Sequence, residues 1–185
     1  MSDSIKKTSI DGLLVIERPT FADERGFFHE VFRLNELKEM GIKFNPVQWG
    51  HSRSEPKVIR AIHSEDWQKI VYPVNGKVFI AIADVRPKSK TFMKVETFEM
   101  DNTKSDSPHQ ALYLAPGLGN SICVVGDEPV DYVYLVDEYW DNSKARGIAW
   151  DDPDLNIKWP VKEPIISERD RNNQTLRELY PDKFR

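Results

Sequence analysis

Short runs of apolar, β-branched and aromatic residues recur along the chain, with turn signals between them. They fall at 12–17 (GLLVIE), 57–63 (KVIRAIH), 69–74 (KIVYPV), 77–85 (KVFIAIADV), 92–100 (FMKVETFEM), 111–115 (ALYLA), 121–125 (SICVV) and 131–140 (DYVYLVDEYW). Each has the length of a strand and side chains that suit a pleated, half-buried surface. Asn75-Gly76 sits between two of them and predicts a two-residue type I′ hairpin, whose central positions both need φ > 0. Pro116-Gly117 and Gly126-Asp127 punctuate later runs. One early helix is expected, with Asn35 as N-cap, 36–40 as its body and Gly41 as its stop. A second short helix is expected near Thr175–Tyr180, after Asp151-Asp152-Pro153 has broken the strand pattern. Without repeats, low-complexity stretches or linkers, the pattern predicts one all-β domain over 1–185. Its expected form is a sandwich or jelly-roll barrel with a few short peripheral helices.

Composition narrows the function classes. The chain has 185 residues, 39% of them hydrophobic and 30% charged, which is enough ordinary globular chain to bury a core. A formal net charge of −4 with no Lys/Arg block argues against a nucleic-acid partner, although an acidic protein can still hold an anion in a locally basic pocket. The one cysteine, Cys123, excludes an intrachain disulfide framework and a multi-cysteine zinc site. The start MSDSIKKTSIDG has no apolar signal core, and no apolar run approaches the length of a membrane span. The expectation is a cytoplasmic protein with no membrane partner.

Four residues, His29, His51, His63 and His109, supply the imidazoles. No H-x-H pair occurs, so no metal site and no cofactor is expected. The nucleophile-elbow, dinucleotide and P-loop signatures are absent as well. In a regular strand Arg60 and His63 differ in parity and point to opposite faces unless the strand bends. The segment from Phe21 to Glu30 mixes charge, aromatics and a glycine. It reads either as a solvated turn or as an arginine-plus-aromatic platform for a phosphorylated ligand.

The order of motifs settles more than any one of them. Residues 23–28 (DERGFF), Val47-Gln48, Arg60-Ala61-Ile62-His63 and Gln68-Lys69-Ile70-Val71 follow one another, then Asp84-Val85-Arg86 with Ser89 and Thr91-Phe92. Pro116-Gly117, Tyr134 with Tyr139, Trp150-Asp151-Asp152-Pro153 with Ile157 and Trp159-Pro160, and Ser167-Glu168-Arg169-Asp170 complete the series. Over about residues 10–175 the chain resembles the nucleotide-sugar 3,5-epimerases of the dTDP-4-dehydrorhamnose 3,5-epimerase type. The resemblance implies a cupin jelly roll without a catalytic metal, and a homodimer in which an N-terminal strand crosses to the partner. It implies an isomerase acting on a nucleoside-diphosphate 4-keto-6-deoxysugar at C3, C5 or both.

By the same resemblance His63 is the base, Asp170 orients it, Lys69 stabilises the enolate oxygen and Tyr134 is the acid on the opposite face. Asp84 is expected to back Lys69. Arg60 and the partner's Arg25 would hold the diphosphate. Phe27, Glu30, Gln48, Asn120, Tyr139 and Arg169 complete the expected substrate-binding set. Three departures bear on recognition. Asn120-Ser121 stands where the family has His-Gly, Gly50 where it often has Asn, and Glu65 where it has an amide. They leave open a GDP- or CDP-linked 4-keto sugar or heptose as substrate. A 3,4-ketoisomerase-like cupin, a non-catalytic sugar-nucleotide-binding cupin and, with the least support, a metal-dependent cupin are the other readings.

Overall fold

The computed structural model describes residues 4–185 as two packed antiparallel sheets with short helices at the periphery. In chain order the strands are β1 (Ile5–Lys7), β2 (Leu13–Arg18), β3 (Thr20–Asp23), β4 (Gly26–His29), β5 (Gln48–Ser54), β6 (Ile59–Glu65) and β7 (Lys69–Pro73). Then follow β8 (Lys77–Asp84), β9 (Val95–Asp101), β10 (His109–Leu114), β11 (Leu118–Val124), β12 (Val130–Val136) and β13 (Ala145–Gly147). The helices are α1 (Leu34–Glu39), α2 (Glu168–Arg171) and α3 (Leu176–Leu179). One sheet has the order β1-β2-β10-β7-β12-β5 and the other β13-β6-β11-β8-β9, while β3 and β4 form a separate hairpin. The crossing connections between the sheets make the jelly-roll architecture expected from the sequence.

Three apolar clusters explain why the central strands are continuously hydrophobic instead of alternating. Val71, Ile80, Ile82, Leu112, Leu114 and Val124 fill the space between the sheets. Ala61, Phe79, Ala81, Ile148, Leu155, Ile166 and Leu176 cover the outer face of the five-stranded sheet with the C-terminal segment. Ile16, Ile70, Tyr113, Leu37 and Phe44 do the same for the other sheet beneath α1. Both faces of β7 and β8 are therefore removed from water, and a strand covered on both faces needs apolar residues at every position.

Three expectations about local structure are corrected. Asn75-Gly76 does not close a hairpin: β7 pairs with β10 and β12, and β8 with β11 and β9, so the turn carries the chain from one sheet to the other. Gly76 has φ +73° but Asn75 lies outside the left-handed region, and its side chain clamps Asp131 through two hydrogen bonds of 2.7 and 2.9 Å. Asn35 is inside α1 and not its cap; the cap position is Arg33, with no side-chain capping bond. The aromatic run at 131–140 leaves the sheet after Val136. The sequence QWGHSRS forms edge strand β5 with little apolar content, because its inward face borders a polar cavity. The C-terminal helix falls as expected, capped by a Thr175–Glu178 box.

Candidate active site

A cavity of about 230 Å³ opens between the sheets, with walls from both. From the five-stranded sheet come Arg60, His63 and Glu65 on β6 and Asn120 on β11. From the six-stranded sheet come Gln48 and Ser52 on β5, Lys69 on β7, and Tyr134 and Val136 on β12. Trp67, Trp140 and Arg169 complete the lining.

Arg60 and His63 share this cavity because β6 is irregular. Asn120 pairs with His63 and Ile122 with Arg60, so three steps on β6 match two on β11. One extra residue in a strand re-aims the side chains beyond it, which resolves the parity conflict seen in the sequence.

His63 Nε2 lies 2.8 Å from Asp170 Oδ1, and the other carboxylate oxygen accepts the Ala61 N–H at 3.3 Å. Asp170 is 3% exposed and sits on α2, whose Ser167 cap fixes the turn through a 3.1 Å bond from the Asp170 N–H. Burial alone would raise the Asp170 pKa. The His63 hydrogen bond and charge, the Ala61 N–H and Arg169 outweigh it and hold the carboxyl below its usual range. A carboxylate accepting from Nε2 leaves Nδ1 as the unprotonated nitrogen, available to take a proton.

Lys69 is buried and pairs with Glu65, four residues before it. Asp84 does not back Lys69, contrary to expectation: its oxygens are taken by Arg86 (2.7 and 2.8 Å), Ser89 (2.5 Å) and Thr91 (2.5 Å), a knot that holds the loop after β8. On the neighbouring strand Tyr132 is fully enclosed, and its hydroxyl donates to Asn120 Oδ1 at 3.3 Å. Burial raises the Tyr132 pKa far above the ordinary phenol, with the Asn120 bond offsetting only part of this, so the hydroxyl stays a donor. Asn120, with its oxygen so engaged, also lines the cavity.

Of the residues expected from the sequence, His63, Lys69, Tyr134, Gln48, Arg60, Asn120 and Arg169 line one cavity, with Asp170 directly behind His63. Tyr139 does not join them; it lies 73% exposed on an adjoining open groove of about 720 Å³, which Val47 and Trp140 also border. Arg25, Phe27 and Glu30 lie outside the cavity. Arg25 pairs with Asp23 at the tip of the β3–β4 hairpin, Phe27 stands edge-on to His109, and Glu30 binds Arg18 and Arg33. Trp67 and Ser52 were missed. Ser52 follows Gln48 at even spacing, a signal that becomes visible only once β5 is known to be a strand. Among the described residues no group of three or more His, Cys, Asp and Glu is arranged to hold a metal, and no helix is long and apolar enough to cross a membrane.

An imidazole on one sheet, backed by a helix carboxylate, and a phenol and an ammonium on the other sheet can move protons on and off opposite sides of a small ligand. That is the equipment of an isomerase working by proton transfer. Comparison with known proteins narrows the class. Residues 7–178 match the family described as dTDP-4-dehydrorhamnose 3,5-epimerase, and the chain belongs to that family. It is 35% identical over 92% of its length to the dTDP-4-dehydrorhamnose 3,5-epimerase of Shigella flexneri, 94% of which is covered. It superposes on NovW, a 4-keto-6-deoxy sugar epimerase from the novobiocin cluster of Streptomyces spheroides, with a TM-score of 0.88 and 30% identity, covering 96% of this chain and 89% of that one. The dTDP-6-deoxy-D-glucose-3,5-epimerase of Legionella pneumophila, solved with dTDP-4-keto-L-rhamnose, gives 0.86 and 28%, with 97% and 95% covered. The expected isomerase class and fold are thereby established.

Proposed function

We propose that the protein epimerises a dTDP-4-keto-6-deoxyhexose at C3, C5 or both, with His63 as base and Tyr134 as acid. The observation that carries this reading is the His63–Asp170 pair, 2.8 Å apart, in a cavity whose facing wall carries Tyr134. The ketone at C4 acidifies the adjacent C–H bonds, because the electron pair left behind delocalises onto the C4 oxygen. His63 Nδ1 takes the proton, and Asp170 stabilises the imidazolium that forms. The Lys69 ammonium steadies the enolate oxygen, a role for which preorganised charge is worth about 3–4 kcal/mol. The enolate electrons then form a C–H bond with the Tyr134 proton on the other face, which inverts the carbon; solvent afterwards returns a proton to the phenolate and takes one from the His63 imidazolium.

The cavity volume suits one sugar ring. The nucleotide would therefore extend along the open groove beside Trp140 and Tyr139, with Arg60 and Arg169 on the diphosphate and Gln48 beside the base. A second copy of the chain would bring Arg25 and Phe27 to this groove on its β3–β4 hairpin. Phe21 and Phe28, 61% and 65% exposed on that hairpin, support such docking, and a monomer in solution at working concentration would exclude it. Asn120, presenting a neutral amide where the family has a histidine, supports a second reading with another nucleotide or a larger 4-keto sugar.

Incubation in deuterium oxide with dTDP-4-keto-6-deoxyglucose tests the main reading: deuterium enters C3 or C5. No wash-in with any 4-keto sugar nucleotide overturns it, and migration of the carbonyl would point instead to a ketoisomerase. A thermal-shift panel of dTDP, GDP, CDP and UDP decides the nucleotide, since a ligand that binds only the folded state stabilises it. A His63→Ala variant that binds nucleotide but exchanges nothing excludes a purely binding role.

A further inference from the structure

Trp67 is 4% exposed and lines the cavity. Among the described residues its indole N–H has no hydrogen-bond partner. The side-chain polar atoms that are both unpartnered and closed off from all open space are Arg18 Nε, His29 Nδ1 and Asn173 Nδ2. Trp67 Nε1 is not one of them, so it still meets open space, and for a residue this deeply buried that space is the cavity it lines. Buried polar groups are as a rule hydrogen-bonded, and indole can only donate. What Trp67 lacks is an acceptor, and the ligand has to bring it.

The place of this donor in the chain says which ligand atom it meets. Trp67 sits in the short connection Asp66-Trp67-Gln68, where the chain passes from β6 on one sheet to β7 on the other. Both neighbours are pinned. The Asp66 N–H donates to the Lys144 carbonyl at 3.3 Å and the Gln68 N–H to Asp137 Oδ1 at 2.8 Å. The Gln68 side chain donates to the Lys43 carbonyl at 2.8 Å and accepts from the Tyr113 hydroxyl at 2.6 Å. The connection is thus held in place before any ligand arrives. Glu65 and Lys69 stand two residues to either side of Trp67, line the same cavity and pair with each other. The carboxylate offsets the ammonium charge, so an oxygen that gains negative charge here depends on donors aimed at it.

We infer that Trp67 is a further catalytic residue: its indole N–H donates to the C4 oxygen of the sugar beside the Lys69 ammonium, and the two form the hole in which the enolate charge develops. The inference rests on the reading of the protein as an epimerase of 4-keto sugars. The bond tightens as His63 removes the C–H proton and charge moves onto the oxygen. The indole keeps its own proton throughout, so it takes no part in the delivery of a proton from Tyr134.

The test replaces Trp67 by Phe and, in a second variant, by benzothienylalanine, which keeps the shape of indole but carries sulfur in place of the N–H. Deuterium incorporation from solvent into dTDP-4-keto-6-deoxyglucose is followed over a range of substrate concentrations, because wash-in reports enolate formation, the step this N–H serves. Both variants are expected to lose on the order of 10²-fold in kcat. KM and dTDP affinity are expected to stay at the parent values, since the bond matters only once charge develops and Trp67 does not border the groove beside Trp140. Exchange by the benzothienylalanine variant at the parent rate overturns the inference, whatever Trp67→Phe does, because it shows that only the ring's bulk counts. A raised KM with unchanged kcat overturns it too, by placing the N–H on a group that bears no new charge. If Trp67→Phe fails to fold, the isosteric variant decides alone. Absence of exchange in the parent protein with every 4-keto sugar nucleotide is the separate failure of the epimerase reading, and the inference falls with it.

Discussion

Replacing Asp170 by Asn changes one atom and tests the catalytic reading most directly. The carboxylate is 3% exposed and accepts two hydrogen bonds, from His63 Nε2 at 2.8 Å and from the Ala61 N–H at 3.3 Å. An amide has one acceptor oxygen and cannot serve both. If the oxygen keeps His63, the amide hydrogens confront the Ala61 N–H, and an unpaired buried donor costs about 1–3 kcal/mol. If the amide flips, the oxygen takes Ala61 and the nitrogen donates to Nε2, which moves the imidazole proton to Nδ1. The flipped state keeps both bonds and wins by that same margin, so the base-competent tautomer falls to a minor population, by roughly tenfold for each 1.4 kcal/mol. The negative charge that stabilises the imidazolium is lost as well. Together these predict a fall in kcat on the order of 10²–10⁴-fold with nucleotide binding retained. Proton NMR of deuterium wash-in reads the rate, and thermal unfolding checks that the variant is folded. A folded Asp170→Asn protein that exchanges within about threefold of the parent would refute the orienting role, because it would show that the tautomer does not limit proton transfer.

Three further outcomes follow from other contacts. His63→Ala should abolish wash-in yet give the same thermal shift with the preferred nucleotide, and a lost shift would mean that His63 holds the ligand instead. Glu65→Gln leaves the enclosed Lys69 ammonium without its partner and should destabilise the fold by about 3 kcal/mol in urea unfolding, whereas Glu138→Gln, which breaks the exposed pair with Lys144, should leave the midpoint where it is. Equal effects of the two would show that water reaches the Lys69 pair freely. Burial alone would raise the Asp84 pKa, but hydrogen bonds from Arg86, Ser89 and Thr91 outweigh it and hold the carboxyl below its usual range, as with Asp170. The folded state therefore binds fewer protons than the unfolded one as pH drops below about 4, and stability present above that value is lost on further acidification. An Asp84→Asn variant should lose less stability than the parent between pH 5 and pH 3, both figures rough markers for this window; an identical decline would show that Asp84 is not a source of the acid sensitivity.

Much of this enzyme was legible along the chain. Runs of Val, Ile, Tyr and Phe at strand length specified an all-β domain, because such side chains lose least when held on a pleated surface. The ordered motifs from Asp23 to Asp170 carried the family, and with it the imidazole, ammonium and phenol that line the cavity and the carboxylate behind the imidazole. The rest depended on contacts between segments far apart in sequence. Asn75-Gly76 has the composition of a hairpin turn, yet Asp131, 56 residues away, captures the Asn75 side chain and the chain crosses between sheets. The parity of Arg60 and His63 was undecidable until β11 showed where the ladder slips. β5 carries no apolar signature because its inner face borders a cavity and not the core, and a pattern of burial cannot announce a surface left open for a ligand. For the same reason Gly50 looked like a missing amide, and only the pairing of β5 with β12 revealed the tyrosine ring lying in its place. Local propensity and motif identity are written residue by residue, whereas register, bulges and the shape of an empty space exist only between strands that the sequence holds apart.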